Sequence, residues 1–155
     1  MPTPAVRALE KFGVDHALHD YEVDEAVGEG YGEAVATAIG ADETRVFKTL
    51  MAVVDGEHVV AIIPVTERLS MKKLAAAAGG RRAEMAATSD AERLTGYVLG
   101  GISPLGQRRR HRTFLDETAT LHPLIFVSAG KRGLQVELPV EALLEMTAGT
   151  LTDLT

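Results

Sequence analysis

Lys48 is a lone cation in an almost wholly apolar run, Val46-Phe47-Lys48-Thr49-Leu50-Met51-Ala52-Val53-Val54. Desolvating an ammonium is costly, so a lysine on a core strand calls for a partner or a role. Two roles suit the residue type. It can be a fixed positive charge beside an anionic ligand, or a base whose pKa burial has lowered. A structural reading stays open, in which Lys48 sits near the strand end and reaches water along its stem. The second segment capable of chemistry is Gly100-Gly101-Ile102-Ser103-Pro104-Leu105-Gly106. Adjacent glycines admit close approach to the backbone, Pro104 stiffens the exit, and free amides there can hold a carbonyl oxygen or an oxyanion. As structure alone it is a tight turn. Val127-Ser128-Ala129-Gly130-Lys131-Arg132-Gly133 is a third glycine-rich segment, otherwise a basic hairpin tip. Gln107-Arg108-Arg109-Arg110-His111-Arg112 places four arginines in five positions, a stripe that can grip a polyanion or lie in solvent.

Composition removes several alternatives. The 155 residues contain no cysteine, which excludes disulfides, zinc–thiolate sites and a cysteine nucleophile. The length suits one compact domain over 1–155. No signal peptide and no membrane-length apolar run is read, so a cytoplasmic protein with no membrane partner is expected. The net charge of -6 argues against a general nucleic-acid binder, and DNA is not expected as a partner. The histidines are His16, His19, His58, His111 and His122, with no pair at metal-ligand helical spacing, so neither metal nor other cofactor is expected. No Gly-x-Ser-x-Gly elbow is present. Gly28-Glu29-Gly30-Tyr31-Gly32-Glu33 fails as a dinucleotide fingerprint, because Glu33 takes the third glycine position and no apolar strand precedes it.

The elements that must position these residues follow from periodicity and punctuation. Thr3-Pro4 opens a helix that Gly13 closes. His16–Tyr21 alternates weakly as a strand, and Glu33–Ile39 reads as a helix stopped by Gly40. Asp55-Gly56 joins two apolar runs into a hairpin, ending near Pro64. Ser70 caps a helix ended by Gly79-Gly80, Arg81–Ala86 holds a short strand, and Ser89-Asp90 opens a helix that stops at Gly96. Tyr97-Val98-Leu99 reads as a short apolar strand. Thr113–Leu115 and Leu124–Ser128 read as strands, with a turn over 129–133. Leu134–Leu138 alternates cleanly, and Pro139 starts a last helix. The pattern predicts an α+β fold with a mixed, largely antiparallel sheet.

Taken in order, His19-Asp20-Tyr21, Val46-Phe47-Lys48-Thr49-Leu50, Thr95-Gly96-Tyr97, Gly100 through Gln107 and Val127 through Leu134 resemble the YbaK family of stand-alone aminoacyl-tRNA deacylases. The same domain is related to the editing insertion of bacterial prolyl-tRNA synthetases. The resemblance runs from Thr3 to about Leu144. It implies an α+β fold with a curved mixed sheet, flanked by helices, around one pocket that removes a wrong amino acid from tRNA, chiefly cysteine from tRNA for proline, with no cofactor. Its essential lysine falls on Lys48 and its glycine-to-proline loop on Gly100 through Pro104. Tyr21, Thr49 and Ser128 fall on pocket-lining positions, and Tyr31 replaces a family aromatic. Gln135 stands where many members carry Asp, so it offers the substrate's α-ammonium only a neutral acceptor.

The implied mechanism is substrate-assisted: the cysteinyl thiol attacks its own carbonyl, while the Gly101, Ile102 and Ser103 amides hold the carbonyl oxygen. Lys48 holds the terminal phosphate or ribose end. Arg108, Arg109, Arg110, Arg112 and Lys131 hold phosphates of the mischarged tRNA(Pro) acceptor end, and docking on prolyl-tRNA synthetase is a further partner the resemblance implies. Two rivals stand beside this: a deacylase for alanine or small amino acids generally, and a non-catalytic tRNA- or synthetase-binding module.

Overall fold

The computed structural model describes residues 2–22 and 30–155. Gly28 and Glu29, the start of the rejected dinucleotide pattern, lie outside the described residues. The elements are α1 (Pro4–Phe12), β1 (Ala17–Asp20), α2 (Tyr31–Ile39), β2 (Phe47–Val54), β3 (Glu57–Pro64), α3 (Met71–Ala77), β4 (Ala83–Met85), α4 (Thr88–Thr95), β5 (Thr113–Asp116), β6 (Leu124–Lys131), β7 (Leu134–Pro139), α5 (Val140–Thr147) and β8 (Thr150–Thr152). The α+β class and the mixed sheet are as expected.

Local chemistry explains the main elements. The Thr3 hydroxyl accepts from the Val6 amide, Pro4 fills the first turn of α1, and Gly13 closes it in the left-handed region. The Asp55-Gly56 turn joins β2 to β3 in full antiparallel register, from Phe47 opposite Pro64 to Val54 opposite Glu57. Asp55 has a positive φ of 48° and its carboxylate accepts from the amides of Arg81 and Arg82, which ties β4 to the hairpin.

The strands form two sheets, β1-β7-β6 and β4-β2-β3-β5-β8. Four pairings are antiparallel, while β3–β5 and β5–β8 are parallel. An isolated parallel bridge, Val46 to Phe126, joins the sheets where β2 and β6 begin. The inner side of both sheets packs α1, α4 and α5 through Leu9, Leu94 and Leu143 against Phe47, Ile62, Val127 and Val136. On the outer side α3 covers Ala52, Ala61 and Ile63, and Ala36 of α2 packs with Val46, Val65 and Phe126. A Cβ on Gly32 would lie 2.5 Å from Val65, so this glycine lets α2 sit directly on the chain leaving β3.

Two local expectations are corrected. Tyr97-Val98-Leu99 is not a strand. Only Tyr97 is buried, while Val98 and Leu99 are 58% and 52% exposed. The segment is instead pinned by side chains: the Leu99 amide donates to Glu92 Oε2 at 2.8 Å, and Arg132 Nε donates to the Leu99 carbonyl at 3.0 Å. The turn expected over 129–133 is also shorter, because β6 continues to Lys131. Short apolar runs carry little periodicity, so the tertiary partners decide both cases.

Candidate active site

Strand alternation places the polar groups on the outer side. Ser128 lies directly opposite Gln135, and Gln135 opposite His19, so the three share one face. The parallel bridge at Val46–Phe126 sets Lys48 on β2 level with Ser128 on β6, on that same side. The structure therefore brings Lys48, Ser128 and Gln135 together from three strands. Tyr21 joins them: its amide donates to the Gly133 carbonyl at 3.0 Å, and Gln135 Nε2 reaches its hydroxyl at 3.5 Å. Tyr31 opens α2, which covers this side.

Lys48 is half-buried, opposite Ile63 and beside Leu50, and makes no ion pair among the described residues. Among the described residues its ammonium is thus held at an apolar wall without a counter-charge, an arrangement that favours an anionic ligand. Gln135 is 6% exposed, and its Oε1 is buried with no hydrogen-bond partner among the described residues. Thr49 Oγ1 is likewise buried and unpaired, on the opposite side of β2 from Lys48. Leaving such atoms unmatched costs about 1–3 kcal/mol each, which a substrate that bonds to them recovers.

Past the bridge no ladder joins β2 to β6 among the described residues, and the two strands belong to different sheets. A β-bulge between Ser128 and Lys131 widens the bend of β6 here; Gly130 has φ 103° and its amide donates to Ser128 Oγ at 3.3 Å. The Gly100–Pro104 loop lies against the same end of β6. A Cβ on Gly101 would fall 2.8 Å from the backbone of Lys131 and Arg132, so the glycine is demanded by backbone packing. Its amide is already bonded to the Val98 carbonyl at 2.9 Å. Of the three amides assigned to an oxyanion, those of Ile102 and Ser103 carry no hydrogen bond among the described residues. Ser103 is fully buried, and its hydroxyl accepts from the Leu105 amide at 3.2 Å. The buried Pro104 completes the loop.

The basic residues are dispersed. Lys131 is exposed at the end of β6, three residues beyond Ser128. Arg112 is committed elsewhere, to Glu57 Oε1 and the Ala78 carbonyl, each at 3.1 Å, and it stacks on Phe114. Arg108, Arg109 and Arg110 are exposed. The Arg108 and Arg109 amides bond the carbonyls of Thr95 and Leu94, closing the C-terminal end of α4. This stripe lies towards the hairpin-turn end of β3, with the Val60 amide bonded to the Arg112 carbonyl, about 10 Å along the strand from the level of Lys48.

Comparison with known proteins gives this arrangement its family. Residues 29–146 match the model of the aminoacyl-tRNA editing domain. The chain belongs to that family. It is 40% identical over 154 residues to the Enterococcus faecalis protein named "Putative Cys-tRNA(Pro)/Cys-tRNA(Cys) deacylase EbsC", covering 99% of this chain and 93% of the relative. It is 32% identical over 127 residues to the Escherichia coli multifunctional Ser/Thr-tRNA deacylase ProXp-y, covering 78% and 68%. A solved structure described as "a putative trans-editing enzyme for prolyl tRNA synthetase" superposes with a TM-score of 0.83 at 23% identity, over 100% of this chain and 98% of that one, which shows the shared fold.

The editing domain also relies on residues that sequence reasoning passed over. Arg45 bonds Glu137 Oε2 at 2.6 Å and the Leu124 carbonyl at 3.1 Å, and its guanidinium lies 4.9 Å over the Phe126 ring. His19 meets the same ring edge-on at 5.3 Å and Glu137 at 3.3 Å. Burial alone would raise the Glu137 pKa, but the bonds from Arg45 and His19 outweigh it and hold the carboxyl below its usual range. This cluster braces the strand face two residues from Ser128 and Gln135. Glu137 was findable, because it shares the Gln135 face by simple alternation; Arg45 was not, because it approaches from a turn distant in sequence.

Tyr97 braces the loop from beneath. Its hydroxyl donates to the Leu105 carbonyl at 2.6 Å, and burial pushes its pKa up to about 12, so it stays a neutral donor. Tyr97→Phe is expected to cost about 1 kcal/mol, or about 2–4 °C in Tm. The same change should lower kcat for deacylation several-fold with little effect on affinity for bare tRNA. Unchanged kcat alongside the lowered Tm would show that the loop's fine position is irrelevant to the reaction.

Proposed function

We propose that this editing domain clears cysteine from mischarged tRNA(Pro), with the substrate's own thiol as nucleophile. The observation that carries the reading is what the site lacks in a place otherwise built for an ester. Neither Ser128 nor Ser103 is hydrogen-bonded to a histidine or a carboxylate among the described residues. A serine without a base is a weak nucleophile, so attack by water or by the substrate itself is favoured over an acyl-enzyme.

The step balances within the substrate. The cysteinyl sulfur attacks the ester carbonyl and forms a C–S bond, the C–O bond to the terminal ribose breaks, and the thiol proton ends on the ribose oxygen. The cyclic thiolactone then takes up water and opens to free cysteine. The Ile102 and Ser103 amides stabilise the oxyanion, and Lys48 holds the phosphate or ribose of the terminal nucleotide. Gln135 Oε1 accepts from the substrate's amino group, with Tyr21, Tyr31, Thr49, Gly100 and Pro104 shaping the pocket around it. Lys131 contacts a neighbouring phosphate. The protein works as one domain, and docking on prolyl-tRNA synthetase would supply tRNA selectivity.

Serine or threonine substrates form the second reading, favoured by the similarity to the Ser/Thr-tRNA deacylase. A panel of tRNA(Pro) charged with cysteine, alanine, serine or proline separates the readings. Cysteine is expected to leave fastest, alanine and serine slowly, and proline hardly at all. Fastest release of serine would move the chain to the second reading, and no turnover of any ester would leave a binding module.

A further inference from the structure

Glu57, His58, Leu94 and residues 109–112 line a basic cavity of about 370 Å³. His58 points to the inner side of β3, since it alternates with Val59, whereas Ile63, opposite Lys48, lies on the outer side. His58 and Lys48 therefore face opposite sides of the sheet.

Charge at the cavity is strongly positive for a chain of net charge -6. Arg109 and Arg110 carry no ion pair among the described residues. The nearby carboxylates are already answered: Glu57 pairs with Arg112 at 3.1 Å, and Asp90 of α4 with Arg93 at 3.0 Å. Glu84 of β4 is the remaining acid on this side of the hairpin, two strands from His58, and it is exposed. Two histidines border the cavity. His58 Nε2 is buried with no hydrogen-bond partner among the described residues and stands 4.0 Å from Asp90. His111 Nδ1 donates to Gln107 Oε1 at 3.0 Å, so Nε2 is an acceptor in the neutral ring and a donor once the ring is protonated. Burial, with the charges of His58 and Arg109, lowers the His111 pKa, so the empty cavity already resists a further positive charge.

Excess positive charge, two unpaired guanidinium groups and two imidazoles around one cavity match a tetrahedral, multiply anionic oxygen ligand. We infer that this cavity is a phosphate-binding site, formed by His58, Arg109, Arg110 and His111, on the opposite side of the sheet from Lys48. The phosphate comes from the tRNA backbone or from a free nucleotide. Either ligand would neutralise Arg109 and Arg110, and its charge would favour the protonated His111 ring, whose Nε2–H then donates to it.

The test uses the whole chain and histidine-ring NMR, with inorganic phosphate as the first probe. Phosphate is expected to shift the His58 and His111 signals saturably while His16, His19 and His122 stay still. The double variant R109Q/R110Q should lose that response and remain folded by its backbone spectrum. No selective shift in the folded wild type overturns the inference, as does an undiminished shift in the double variant. Bare tRNA and ATP then identify the source. If tRNA supplies the phosphate, R109Q/R110Q weakens tRNA binding and flattens its salt dependence by about one unit per lost contact. If ATP moves both rings and tRNA affinity is unchanged in the variant, the ligand is a free nucleotide. These readouts do not involve deacylation. A chain that deacylates normally but shows no phosphate response loses this site alone, and one that binds phosphate but cleaves no aminoacyl ester loses the editing reading alone.

Discussion

Lys48→Ala is expected to abolish deacylation, by about 100-fold or more, while leaving the melting temperature at or slightly above the wild-type value. The two expectations have one origin. The ammonium is half-buried on a strand face with Leu50 and Ile63, and it receives no compensating carboxylate from the described residues. Removing it relieves a desolvation cost and breaks no ion pair, so folding has nothing to lose. Catalysis has a great deal to lose, because Lys48 stands level with Ser128 on the face that also carries Gln135. Turnover and thermal melting measured on the same preparation check both halves. A folded variant with near-normal turnover would remove Lys48 from the mechanism. A large fall in Tm would show instead that the lysine is structural.

Gly101→Val should produce the second large effect, and for a reason the sequence did not disclose. Read from the chain alone, the glycine leaves room for a ligand. In the fold, the space beside its Cα is already filled by the backbone of Lys131 and Arg132, 2.8 Å from where a Cβ would sit. A valine must push the loop away from the β6–β7 turn. Overpacking of this kind costs about 1–3 kcal/mol, or several degrees of Tm. The displaced loop carries the free amides of Ile102 and Ser103, so deacylation should fall far more than affinity for bare tRNA. Gly101→Ala should show the same pattern, smaller in both measurements. Equal losses of activity and tRNA affinity would place the loop in tRNA docking, and wild-type values for Tm and turnover would reduce it to an ordinary turn.

The sequence was most informative where a single residue type carried the physics. Asp55-Gly56 announced the hairpin and Thr3-Pro4 the first helix. The β6–β7 pairing that sets Ser128 opposite Gln135 was legible too, since both runs read as strands joined by a turn. What stayed hidden depends on partners remote in the chain. Val98 and Leu99 looked like core strand because they are apolar, yet Arg132 and Glu92 hold them at the surface. The arginine stripe looked like one binding element. In the structure Arg112 is tied to Glu57 and Ala78, while Arg109 and Arg110 border a cavity with two histidines. The strand β8, parallel to β5, has too short and polar a sequence, Thr150-Leu151-Thr152, to signal its pairing.

The central claim is that the substrate's sulfur, not a residue of the protein, attacks the ester. Two esters of the same tRNA(Pro) test it most directly: cysteinyl and 2-aminobutyryl, which replaces the thiol by a methyl group of similar size. An apolar pocket separates two such side chains poorly by binding, so a rate difference must come from the chemistry. Under single-turnover conditions the cysteinyl ester should be cleared at least about 100-fold faster, with the thiolactone detected by mass spectrometry before free cysteine accumulates. Equal rates for the two esters, with no cyclic product, would contradict the account and assign the attack to water.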